Sequence, residues 1–148
     1  MRLFQLLFIV FVSATHNVSA DGFDYLGQIK KYVKCEAIQN VAANIESESE
    51  EEFHQHELNH ASLDSRIVAM ELAKAGGYSS EQVSELYYVY LSEYRKILQE
   101  SEDQSDVDNF LRSLRPLIDE CERLIAMQSD LIKSRKNQTE YYDKNQQQ

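Results

Sequence analysis

The sequence predicts an all-α fold, an up-down-up-down four-helix bundle with one disulfide joining its first and last helices. Three observations predict it. Apolar residues recur three and four apart over four long stretches, and no stretch alternates with period two for long enough to require a strand. Cys35 lies near the middle of the first stretch and Cys121 near the middle of the last, where two cysteines must lie if those helices run antiparallel side by side. Short polar connections separate the stretches, which favours antiparallel neighbours.

Residues 1–20 carry one basic residue, Arg2, an apolar run from Leu3 to Val12, and small residues at Val18-Ser19-Ala20. That pattern predicts a secretory signal peptide cleaved after Ala20. The bundle is then expected over residues 21–136, followed by a disordered polar tail over 137–148. Export to a secreted or periplasmic location also favours a Cys35–Cys121 bridge, because an oxidising compartment pairs two cysteines. Without Arg2 the basic count falls from 15 to 14 against 25 acidic residues, so the mature charge is 14 − 25 = −11. Such a chain is a poor partner for nucleic acid or for anionic membranes.

The first helix is expected from Phe23 to Ile45, carrying Leu26, Ile29, Val33, Ala37 and Val41 on one face. The acidic run Glu46 to Glu52 suits a helix start, since carboxylates are favourable at a positive helix N-terminus. Ser47 or Ser49 can cap there, and Glu50 or Glu52 can return the capping-box bond. The second helix then runs to about Ala75, with Phe53, His56, His60, Leu63, Ile67 and Met70 as its apolar stripe and Gly76-Gly77 as its stop. Ser79 with Gln82 three residues on, and Tyr78 placed to pack on Val83, start the third helix, expected over Ser80 to Glu100. Its tyrosines Tyr87, Tyr90 and Tyr94 fall on the apolar face, and Tyr88 falls off it.

Ser105 is expected to cap the last helix, whose stripe from Val107 through Cys121 to Ile132 makes it the main core helix. Pro116 interrupts it, but the stripe passes through in phase, so a kinked continuous helix is expected. Asn137-Gln138-Thr139 forms a glycosylation sequon, meaningful in a eukaryotic host.

One constellation carries chemistry. His56-Glu57-Leu58-Asn59-His60 matches H-E-x-x-H, in which histidines four apart on a helix hold one Zn²⁺ and the glutamate polarises the bound water. A zinc hydrolase needs a third ligand, and the metzincin extension fails, with Leu63 at the glycine position and Arg66 at the third histidine position. Glu81 and Glu85 remain at plausible sequence distance. Non-catalytic binding of Zn²⁺ or another transition metal by His56 and His60, with His54 and Glu51 as extra ligands, needs less. The plainest expectation leaves both histidines partly buried at the bundle's edge, hydrogen-bonded to carboxylates of neighbouring helices. No nucleophile motif or phosphate loop accompanies them.

The residues therefore favour an exported, acidic, non-catalytic binding module for a protein or small-molecule partner of basic or amphipathic character, requiring no cofactor. The alternatives are a transition-metal-binding protein using His56 and His60, and a small zinc-dependent hydrolase with Glu57 as its base.

Overall fold

The structure, a computed structural model, describes residues 22–45 and 55–146. The expected signal peptide and the caps expected at Ser47 or Ser49, together with Glu51 and His54, lie outside these residues. The fold is all-α, with five helices among the described residues: α1 (Tyr25–Ala43), α2 (Gln55–Gly76), α3 (Ser80–Gln99), α4 (Gln104–Ala126) and α5 (Ser129–Gln146). The expected count of four is corrected to five, because the long last helix is two.

The central element is α1. Eleven of its nineteen residues are buried, including the unbroken run Cys35-Glu36-Ala37-Ile38-Gln39, which covers more than a full turn. From Cys35 to Ala43 the helix is enclosed and must have neighbours on every side, whereas Leu26, Lys30, Lys31 and Lys34 leave its N-terminal half with an exposed face. By contrast α4, expected to be the main core helix, buries one stripe only: Phe110, Leu111, Leu114, Ile118 and Cys121. Two apolar clusters share α1. One joins its C-terminal half to Leu58, Leu91, Phe110, Leu111, Leu114 and Ile118, and the other joins its N-terminal half to Val68, Ala69, Ala73, Val83 and Ile132.

The Cys35–Cys121 disulfide, with Cα atoms 5.5 Å apart, ties α1 to α4 between the two clusters. The Tyr32 hydroxyl donates to the Leu124 carbonyl at 3.3 Å, one turn toward the other end of both helices, so α1 and α4 run antiparallel. Burial raises the Tyr32 pKa, which keeps that donor protonated.

Local signals set most helix ends. Asp24 accepts from the Gly27 N–H at 2.8 Å to cap α1. A Cβ at position 27 would lie 1.9 Å from the Asp24 carboxylate, so the glycine makes room for the cap. At the end of α2, Gly77 adopts φ 76°, the Tyr78 N–H donates to the Ala73 carbonyl at 2.8 Å and the Gly77 N–H to that of Lys74 at 3.4 Å. This pair of bonds is the Schellman arrangement that left-handed glycine permits. Ser79 and Gln82 then form the expected capping box, and Tyr78 and Val83 pack in the same cluster.

Three expectations need correction. Asp103, not Ser105, caps α4: its carboxylate accepts from the Asp106 N–H at 3.0 Å, and Asp106 in turn accepts from the Glu102 N–H at 3.0 Å. Helix α4 does run unbroken through Pro116, but it stops at Ala126. No glycine or proline marks that stop. Its cause is tertiary, since Ile132 is buried in the second cluster and Arg135 and Lys136 reach α2, which draws α5 across that helix. Beyond Lys136 the polar segment stays helical through Gln146. It holds no proline or glycine, and Arg135–Gln138 and Thr139–Arg135 bonds support the turn just beyond Lys136.

Candidate functional site

The face that α2 turns to α1 is built from small residues. Leu58, Ser62, Ser65, Val68, Ala69 and Ala73 are its buried positions. Short side chains let the two helices approach closely, and the polar ones among them find partners across the contact. Gln39, fully buried, sets its amide nitrogen toward the Ala61 and Cys35 carbonyls, each 3.1 Å away, and lies 2.9 Å from the Ser65 hydroxyl. Glu36, also buried, pairs with Arg66 at 3.1 Å. Burial pushes the Glu36 carboxyl up to about 7, against the pull of the Arg66 guanidinium.

With that face against α1, the stripe expected to be α2's core face lies at the core's edge, where Ile67 and Met70 pack against the second cluster. Leu63 is 58 % exposed, and Ile67 and Met70 are half-buried. These three form the apolar floor of a groove of about 540 Å³ between α2 and α5. Three cations and a carboxylate edge it: Arg66, Arg135, Lys136 and Glu71. Arg135 pairs with Glu71, and Lys136 lies 2.6 Å from Asp64 Oδ1, a buried oxygen that no other donor meets among the described residues. The cations keep capacity to spare. A guanidinium has five donors; among the described residues Arg66 places one on Glu36, and Arg135 places two, on Gln138 and Glu71. The groove went unread in the sequence because a stripe at helical spacing looks the same whether it faces a core or a cleft.

The histidines continue that same stripe toward the start of α2. Both are exposed, where partial burial was expected, and among the described residues they pair with each other and not with carboxylates of neighbouring helices. The two Nε2 atoms stand 3.2 Å apart, with ring centroids at 4.3 Å and planes at 63°. Glu57 is exposed and lies about 100° around the helix from His56. Among the described residues no third histidine, cysteine, aspartate or glutamate joins the pair to make a three-ligand cluster.

A second groove, about 560 Å³, lies between α3 and α4, where Tyr94, Ile97, Phe110, Leu114 and Leu117 meet a polar edge of Glu100, Ser101, Asp106, Asn109 and Ser113. Burial pushes the Tyr94 hydroxyl up to about 12, so it stays a neutral donor. Tyr88 points to solvent at 66 % exposure. Among the described residues no helix is long and apolar enough to cross a membrane. Comparison with protein-family models, with curated proteins and with solved structures finds no match, so the reading of this molecule rests on its own geometry.

Proposed function

We propose that the protein is a non-catalytic binding module, exported to an oxidising compartment, that holds a small amphipathic molecule in the α2–α5 groove. The apolar body of the ligand lies along Leu63, Ile67 and Met70, and its anionic head meets Arg66, Arg135 and Lys136. One observation carries this reading: at the edge of the core α2 leaves an apolar stripe part-exposed, and Arg66 of α2 with Arg135 and Lys136 of α5 edge it, in a chain of net charge −10. A volume of about 540 Å³ suits a ligand of modest size. The disulfide supports the compartment, since such bridges persist where thiols are oxidised.

Dodecanoate, with a long apolar chain and one carboxylate, is a suitable probe. Its binding, measured by calorimetry, is expected to weaken at least about tenfold in Leu63→Asp and in Lys136→Glu, and dodecanol, of equal length but uncharged, is expected to bind as weakly as dodecanoate does to Lys136→Glu. Equal binding by wild type and both variants would place the ligand elsewhere. No binding up to about 1 mM would remove the proposal.

A further inference from the structure

We propose that His56 and His60 form a two-nitrogen chelate for a borderline divalent transition ion, Zn²⁺, Ni²⁺ or Cu²⁺, at the start of α2, separate from the groove. Metal–nitrogen bonds of about 2.0–2.1 Å set the two nitrogens about 3.3–3.4 Å apart at a tetrahedral angle and about 2.8–3.0 Å apart at a right angle. The observed Nε2 separation of 3.2 Å falls between these values.

The ring centroids, at 4.3 Å, are closer than the about 5 Å that a shared ion implies, so seating it turns the rings outward about χ2. That torsion is soft in histidine, and both side chains are exposed and free to make the turn. Imidazole nitrogen suits these three ions and not Mg²⁺ or Ca²⁺, which prefer oxygen. Two protein ligands leave the ion's remaining positions for water or an external donor.

The same 3.2 Å also suits an N–H···N hydrogen bond between the rings, and a titration separates the two. The tag-free protein is titrated with each ion by calorimetry, beside His56→Ala, His60→Ala, His54→Ala and the His56→Ala/His60→Ala double variant, with far-UV circular dichroism confirming that each is folded. The wild type is expected to take one equivalent, most tightly for Cu²⁺. His56→Ala and His60→Ala are each expected to weaken it at least about tenfold, while His54→Ala stays within about threefold of wild type. Wild-type affinity in the double variant, a loss in His54→Ala equal to that in His60→Ala, or no uptake by the wild type would each overturn the chelate.

Discussion

Glu36 is the residue on which the physics of the α1–α2 contact is most exposed. Its carboxyl is buried, and desolvation outweighs the Arg66 ion pair, raising its pKa from near 4.5 to about 7. The folded state therefore binds a proton more tightly than the unfolded state. Stability from this group is fully present below about pH 4.5 and is lost as pH rises to about 7, a change of up to about 3 kcal/mol. Urea unfolding of wild type and Glu36→Gln between pH 5 and pH 8 checks this. Wild type is expected to lose stability across that window, and Glu36→Gln is expected to flatten the loss and match or exceed wild type at pH 8. Stability that rises with pH through the window, or an unchanged slope in Glu36→Gln, would contradict it. Nothing in the sequence marked Glu36, Gln39 or Ser65 as interior, because a charged or polar residue on a helix is by default expected outside. Their burial follows from the C-terminal half of α1 lying between neighbours on all sides, which one chain's periodicity does not show.

Among the helices, what could be read from sequence was whatever is decided within a few residues. Gly76-Gly77, Ser79 with Gln82, and Tyr78 with Val83 act locally, and the structure places the end of α2 and the start of α3 as their chemistry requires. The turn at Met127-Gln128 is decided by where Ile132, Arg135 and Lys136 find partners, so the stripe from Val107 to Ile132 looked like one helix. The stripe of α2 misled for a related reason: Leu63, Ile67 and Met70 are more apolar than Ser62, Ser65 and Ala69, yet the smaller residues take the core face because α1 packs closely there. The pairing of Cys35 with Cys121 was legible, since both sit mid-helix. It closes a separation of 86 residues and holds α4, a one-sided helix, to the central one. Replacing both cysteines with alanine is expected to lower stability by about 2–5 kcal/mol in chemical denaturation while native helicity survives. A loss below about 1 kcal/mol would mean that packing alone holds α4 in place.

On the scale of the whole molecule, an acidic chain of net charge −10 gathers three of its fifteen basic side chains around one apolar cleft. Each has a carboxylate partner, so the cleft is not a bare cationic patch but a balanced one that an anionic head can enter by competing for donors. The α3–α4 groove differs in having Glu100 and Asp106 at its edge and no lysine or arginine among its lining residues, which sets it against the same ligand. The most direct test is to titrate ¹⁵N-labelled protein with dodecanoate and follow the amide chemical shifts. Shifts concentrated from Leu63 to Glu71 on α2 and from Arg135 to Thr139 on α5 are the predicted result. Shifts centred on Tyr94, Phe110 and Leu117, or none up to about 1 mM, would contradict it.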